Sequence, residues 1–432
     1  MNILEIIENK KNGRELSKEE IEYFVNGYTN NEIQDYQAAA LVMAICINGM
    51  TQDEILALTI SMANSGDVLD LSDISDRIID KHSTGGVGDK ITLIVMPIIA
   101  SLGIPVGKMS GRGLGITGGT VDKLESIPGY RTNISIEEFK QNIKNINISL
   151  ISQTMNLAPA DKKIYALRDT ISCTNSTPLI ASSIMSKKIA AGANAIVLDV
   201  TCGKGAFMQN KDDARSLAKL MTLIGKWAKR ETVCVLTNMD EPLGKAVGNS
   251  LEVIEAVEAL KGNMEKDVKD VVLEISAQIM KLYGNHPSIT ENKKLVEETI
   301  KNGKAYEKFL ELVSTQNGDI SYIENTERFE KAPFIMPVLA EKEGFVEELD
   351  AEKIGRAGVE LGIGRINKED IIDSRVGIVF EKKIGSPVKK EEVLAYVHAN
   401  SFDKGAKCIE EIQKAYKIGS KKIIKKNIIE IM

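Results

Sequence analysis

A chain of 432 residues is long enough for two or three domains, each with its own core. Its 55 Lys+Arg against 61 Asp+Glu give a formal net charge of −6, which argues against general affinity for nucleic acid or anionic lipid and leaves an anionic small molecule open. Cys46, Cys173, Cys202, Cys234 and Cys408 form no C-x-x-C pair and no zinc-like cluster with histidine, as expected of spare thiols in a reducing cytosol.

In chain order, Met1 to Glu8 is amphipathic and acidic, without the basic start and apolar core of a signal peptide, so a cytoplasmic location is expected. Residues 1–65 read as helices. Ser17-Lys18-Glu19-Glu20 is a capping box opening a helix with Ile21, Phe24 and Val25 on one side. Tyr36 to Asn48 is an alanine-rich apolar helix. Thr51-Gln52-Asp53-Glu54 caps a third, which carries Ile55, Leu58, Thr59 and Met62. The apolar face of Ile3, Ile6 and Ile7 suggests a homodimer interface.

From about residue 77 short β-branched runs alternate with helical ones. Arg77-Ile78-Ile79-Asp80 is followed by a helix from Gly88, then Ile104-Pro105-Val106 and a helix near Val121. The uncharged stretch from Ile91 to Gly107 nears the length of a short membrane span, but Pro97, Gly103 and Pro105 interrupt it; a buried helix followed by a buried strand explains it better. Further on come a strand at Ala195 to Val200, a helix from Asp212 to Lys229 and a strand at Val233 to Leu236. This is the βαβ rhythm of a parallel sheet covered by helices. Two helices interrupt it, Ala158 to Asp169 and Pro178 to Ala191, the second with Thr177 as N-cap. They are expected to pack with the N-terminal helices.

Charged helices fill 249–313, a polar, turn-rich linker spans 314–333, and short alternating runs with glycine turns follow Phe334. The expected fold is therefore α/β. A small all-helical domain is built from 1–65 and 158–192. A large α/β domain with a central, mostly parallel sheet is built from 66–157 and 193–333. A small C-terminal α+β domain spans 334–432.

Two segments stand out. Lys81-His82-Ser83-Thr84-Gly85-Gly86-Val87-Gly88-Asp89 lies between a strand and a helix. Its glycines let backbone N–H groups approach a ligand, and the helix start behind them favours negative charge. Lys81 adds a cation, Ser83 and Thr84 add hydroxyls, and one of the chain's three histidines sits among them. Ser110-Gly111-Arg112-Gly113-Leu114-Gly115-Ile116-Thr117-Gly118-Gly119-Thr120-Val121-Asp122-Lys123-Leu124-Glu125 follows the next strand. Loops after strand C-termini line the ligand crevice of a parallel sheet, so two such loops converge on one anion.

Together these segments resemble the thymidine/pyrimidine-nucleoside phosphorylase family. The second carries its S-G-R-G-L-x-x-T-G-G-T-x-D-x-L-E pattern, and the similarity extends along the whole chain. The resemblance implies reversible phosphorolysis of pyrimidine nucleosides (uridine, thymidine, deoxyuridine). Inorganic phosphate is the co-substrate, the products are free base and (deoxy)ribose 1-phosphate, and no organic cofactor takes part. It implies phosphate binding by Lys81, Ser83, Thr92, Lys108, Ser110 and Thr120, and base binding by Tyr165, Arg168, Ser183 and Lys187. Arg168 and Lys187 can donate to the two ring carbonyls and Ser183 can accept from the ring N–H. Negative charge moves onto the ring as the glycosidic bond breaks, so these cations favour the transition state. His82 is the candidate acid, facing the base while Lys81 and Ser83 face the phosphate. His286 and His398 are given no role.

The family also implies potassium on Gly88, Lys90, Leu243, Ala246 and Glu255. Lys90 stands where threonine is usual: a backbone carbonyl there would keep the ion, whereas an inward side chain would replace it. Ile116 stands where histidine is common. Hinges are expected near Asn64-Ser65-Gly66, Asn156 to Pro159 and Gly192. Rival readings are a strict thymidine phosphorylase, an anthranilate-type phosphoribosyltransferase, and a non-catalytic nucleotide-binding protein; the second wants an acidic pair near the glycine loop, where Asp89 and Asp122 are the only nearby carboxylates and no such pair stands out.

Overall fold

The computed structural model describes residues 1–113, 115–116, 118–154, 156–284, 288–365 and 370–432. Leu114 and Thr117 of the second motif, and His286, lie outside the described residues.

The chain opens with α1 (Ile3–Lys11), α2 (Lys18–Thr29), α3 (Asp35–Asn48) and α4 (Gln52–Ala63). Both expected capping boxes form, Ser17 with Glu20 and Thr51 with Glu54. Glu54 is fully buried and accepts from Lys10 Nζ at 2.6 Å and Leu16 N at 2.9 Å, so one carboxylate pins three elements. Ile3 and Ile6 pack into the helical core beside Phe24, Leu41 and Val42. The expected dimer face at Ile3, Ile6 and Ile7 is thus corrected, because burial within the subunit uses its first two members.

The sheet region runs β1 (Ile79–Ser83), α5 (Ile91–Ser101), β2 (Val106–Ser110), α6 (Thr120–Glu125), α7 (Ile136–Ile146) and β3 (Ile148–Ser152). It continues through α8 (Pro159–Thr170), α9 (Thr177–Ala190), β4 (Ala195–Cys202), α10 (Lys211–Trp227) and β5 (Glu231–Asn238). Thr177 is the first residue of α9 and Ser176 precedes it, which shifts the expected cap by one. Ala160, Ile164 and Leu179, from α8 and α9, join the core of the N-terminal helices.

β1 to β5 are all parallel, in spatial order β5-β4-β1-β2-β3. The chain leaves β1 toward β2 and β3, then returns to place β4 on the other side of β1. That is a topological switch point, where ligands bind beyond the strand C-termini. β1 starts and ends later than its sequence suggests: Lys81, His82 and Ser83 belong to the strand, not to the loop.

β6 (Ala246–Val247), α11 (Asn249–Leu260), α12 (Lys266–Tyr283), α13 (Ile289–Lys301) and α14 (Lys304–Thr315) follow. The terminal region holds β7 (Phe334–Leu339), β8 (Gly344–Leu349), β9 (Gly377–Phe380), β10 (Pro387–Val388), β11 (Val393–Ala399), β12 (Tyr416–Gly419), and helices at Ala351–Leu361 and Phe402–Ala415. Its strands are antiparallel. The expected boundary is crossed twice. β6 pairs with β9 of the terminal domain, and β13 (Ile428–Ile431) returns to lie antiparallel against β5. Residues 428–431 therefore belong to the central sheet.

Each face of that sheet has its own cover. Ile79, Val106 and Val197 pack under α5, α11 and α12. Ile196, Leu198 and Val200 pack under α9 and α10. Strand alternation then sorts the polar residues. Lys81, Ser83, Lys108, Ser110 and Asp199 face the α5 side, and Asp80 and His82 face α9. Among the described residues no helix is long and apolar enough to cross a membrane.

Candidate active site

On the α5 side, Ser83 and Ser110 are the last residues of neighbouring strands. Ser83 lies level with Asp199 of β4. Lys81 Nζ is buried 3.6 Å from Asp199 Oδ2, beyond hydrogen-bond reach, and has no hydrogen-bond partner among the described residues. Asp199 Oδ1 accepts from Thr237 Oγ1 at 2.7 Å. Burial raises the Asp199 carboxyl to about 6 despite Lys81. Lys108 Nζ donates to the Lys81 carbonyl at 2.6 Å, and burial, then Lys188, lower its amine to about 7.

Asp89 caps the start of α5 through Ile91 N at 3.2 Å; burial alone would raise its carboxyl, but Lys81 and Lys123 outweigh that and hold it low. Thr92 is the second residue of α5 and Thr120 the first of α6. The result is a cluster of under-paired ammonium groups among hydroxyls and helix starts, at the switch point. Such an arrangement suits an anion.

The first loop is pinned to β4 by Thr84 N to Asp199 O at 2.9 Å and by Thr84 Oγ1 to Thr201 Oγ1 at 2.9 Å. The second loop folds around Asp122. That carboxylate accepts from Gly113 N at 2.7 Å and pairs with Arg112 at 3.3 Å and Arg365 at 2.8 Å. Gly119 is obligatory, because a Cβ there would stand 2.2 Å from Gly113 N. Arg365 arrives from the terminal domain and also donates to Gly113 O at 3.3 Å. Lys123 joins the two loops, donating to Asp89 O at 2.5 Å and pairing with Glu252 of α11 at 2.8 Å. Ile116 lies against Gly355 of the terminal domain.

On the α9 side, Lys188 pairs with buried Asp80 at 2.8 Å. Lys187 Nζ donates to Asp161 Oδ2 at 2.5 Å and to Ser183 Oγ at 2.9 Å. Arg168 is buried, and its Nε, Nη1 and Nη2 donate to the carbonyls of Cys173 at 3.0 Å, Leu179 at 3.3 Å and Thr174 at 2.9 Å. Its guanidinium carbon lies 5.8 Å from the centre of the Tyr165 ring, which is 46% exposed. The fold thus brings Ser183 and Lys187 into contact and sets Tyr165 beside Arg168, while spending much of the Arg168 fork on backbone.

His82 faces these groups. Burial and the ammonium groups of Lys188, Lys108, Lys187 and Lys81 push its imidazole well below the ordinary range. Set beside the expectation of an acid titrating near neutrality, this direction favours a neutral ring that offers one N–H at pH 7 when no anion is bound. Sequence reasoning passed over Asp80, Asp161, Lys188, Lys123, Glu252 and Arg365 as site residues. Asp199 alone carried a signal, as the one charge in the apolar run of β4.

The residues expected around potassium do converge, but on an ammonium group. Lys90 is buried, and its Nζ donates to Leu243 O at 2.7 Å, Ala246 O at 2.8 Å and Glu255 Oε2 at 2.7 Å. Gly88 closes the cradle: a Cβ there would lie 2.6 Å from Leu243 O. A second cation would meet a unit positive charge already in place, so these residues do not fit a resident potassium ion.

Comparisons with known proteins agree with this layout. Residues 4–66 match the glycosyl transferase family helical bundle domain, 75–306 the glycosyl transferase family a/b domain, and 345–419 the pyrimidine nucleoside phosphorylase C-terminal domain. The chain is 50% identical over 401 residues to a pyrimidine-nucleoside phosphorylase of Staphylococcus epidermidis, covering 93% of each chain. It is 49% identical over 400 residues to one of Bacillus subtilis, covering 93% of this chain and 92% of the relative. A crystal structure of anthranilate phosphoribosyltransferase from Thermus thermophilus superposes with a TM-score of 0.60 at 19% identity, over 72% of this chain and 99% of that one. That likeness speaks for the fold alone.

Proposed function

The chain belongs to the pyrimidine-nucleoside phosphorylase family, and from that premise we infer that it catalyses reversible phosphorolysis of pyrimidine nucleosides. Inorganic phosphate attacks C1′ of the (deoxy)ribose, the glycosidic C–N bond breaks, and its electron pair goes to the pyrimidine. The observation that carries this reading is the buried Lys81 Nζ at the switch point, 3.6 Å from Asp199 and without a hydrogen-bond partner among the described residues, beside Lys108. Phosphate supplies the hydrogen-bond acceptors that the described residues do not offer it there.

In this reading Lys81, Lys108 and the hydroxyls of Ser83, Thr92, Ser110 and Thr120 hold phosphate. Tyr165, Arg168, Ser183 and Lys187 hold the base. Alternation along β1 supports the division, since Lys81 and Ser83 face one way and His82 the other. Lys187 and Arg168 stabilise negative charge arriving on the ring. Neutral His82 donates an N–H hydrogen bond to a ring carbonyl, and a bound phosphate dianion offsets the ammonium groups that surround the imidazole. To take the base, Lys187 must exchange Asp161 for it. That exchange fits closure of α8 and α9 over the sheet, with hinges near residues 64–66, 156–159 and 192.

The phosphoribosyltransferase rival needs a free acidic pair, and here Asp122 is already engaged by Arg112, Arg365 and Gly113 N. The reading includes a homodimer in the cytoplasm. The exposed apolar stripe of α3, namely Tyr36, Ala40, Met43 and Ile47, supplies a contact surface.

The test is consumption of uridine and thymidine with and without phosphate. Turnover that depends on phosphate and yields the sugar 1-phosphate is expected; equal release of base in its absence would make the protein a hydrolase. Lys187→Ala should lower kcat by about 10²–10³-fold, the scale of losing one preorganised transition-state donor, while phosphate binding persists. Unchanged turnover would remove Lys187 from the base site.

A further inference from the structure

We propose that Lys90 is a built-in cation, its ammonium standing where a monovalent metal ion would otherwise be required between the first glycine loop, the 243–246 turn and α11. Three oxygens surround Nζ at 2.7, 2.8 and 2.7 Å: two backbone carbonyls and one carboxylate. Ammonium and potassium ions have nearly equal radii, and both are held by hard oxygen donors.

Something positive is obligatory at this point. Glu255 accepts from Lys245 N at 2.8 Å and Ala246 N at 2.7 Å, which fixes the turn. That geometry aims Leu243 O and Ala246 O at the same spot as the Glu255 carboxylate. Without a cation, three mutually repelling oxygens would face one another in a buried site. The cradle is also shaped tightly around the charge. A Cβ on Gly244 would lie 2.2 Å from Glu255 Oε1 and 2.8 Å from Lys90 Nζ. Lys90 is the residue immediately before α5, so its tether anchors the first turn of that helix, and with it Asp89 and Thr92, to α11. A tethered cation is present at very high effective concentration and does not leave when the salt changes. The loop from Thr84 to Asp89 is therefore locked independently of potassium.

The measurement is the melting temperature of the whole chain, without substrate, in potassium, sodium or choline chloride at equal ionic strength. For the native protein the three curves should coincide. Lys90→Thr shortens the side chain to a hydroxyl and should open the cradle to an ion. Its melting point should be lower in choline and rise saturably with potassium, by at least about 2 °C at saturation. A native protein stabilised saturably by potassium over choline would overturn the proposal. So would a Lys90→Thr protein indifferent to potassium, or one that fails to fold in either salt, because the ion would then not replace the ammonium. Solubility of Lys90→Thr only in potassium supports it. No nucleoside enters these measurements, so failure here is separate from failure of the phosphorolysis reading.

Discussion

Replacing Lys108 by Met tests whether the anion site is held under electrostatic load. Burial and the nearby Lys188 bring the Lys108 amine to about 7, against an ordinary value of 10.5. At 1.36 kcal/mol for each tenfold, keeping this group charged in the fold costs on the order of 4 kcal/mol. Its hydrogen bond to the Lys81 carbonyl returns about 1 kcal/mol. Methionine keeps most of the apolar stem and removes the charge, so Lys108→Met should be more stable at pH 7, by about 2–3 kcal/mol, when phosphate is absent. The sign in pH follows from the lowered value. Between about 7 and 10.5 the unfolded chain binds more protons than the native one, so native stability rises with pH through that window. The variant should lose that slope. Phosphate should close most of that gap, since it stabilises the native protein by about 2.7 kcal/mol at a hundredfold excess over Kd and the variant far less. Urea unfolding followed by the fluorescence of Trp227, the single tryptophan, at pH 7 and 9 with and without phosphate, reads all of this. A Lys108→Met protein less stable than the native one without phosphate would refute the reasoning.

The two glycine segments are legible in the sequence because glycine, hydroxyl and cation together leave few alternatives to an anion loop. Which way each side chain faces is not, since that depends on where the strand frame runs. Lys81 and His82 sit inside β1 because that strand pairs as far as Ser83 with β4, more than a hundred residues on. α7 and β3 are hidden for a local reason. Asn147, at φ 61° and ψ 9°, ends the helix and Ile148 begins the strand at once, with no glycine or proline between them. β13 cannot be placed from four residues, because its pairing with β5 is set by contacts two hundred residues away. Lys90 is ambiguous in the same way. Its side chain could turn outward, and only the positions of Leu243 O, Ala246 O and Glu255 decide that it turns in.

The α3 stripe gives one further expectation: Ile47→Lys together with Tyr36→Lys, both three-quarters exposed in the subunit, should shift sedimentation from dimer to monomer while leaving the fold intact. A native protein that sediments as a monomer at micromolar concentration would dispose of the dimer. The last expectation concerns His82. Burial and the surrounding ammonium groups lower its imidazole well below 6.5, so in the free protein the ring takes up its proton only at lower pH than an ordinary histidine. The kcat/KM profile should then show no inflection near 6.5 that depends on His82. In stability the sign is the opposite of a paired histidine: below about 6.5 the unfolded chain takes up the proton that the native ring refuses, so His82 costs stability as pH falls. His82→Gln keeps an N–H donor and should retain turnover within about tenfold, whereas His82→Ala should lose about 10²-fold, as expected when a hydrogen bond to developing charge is removed. An inflection near 6.5 that vanishes in His82→Gln would mean that the ring works as a titrating acid and that the ammonium groups around it are better screened than their positions suggest.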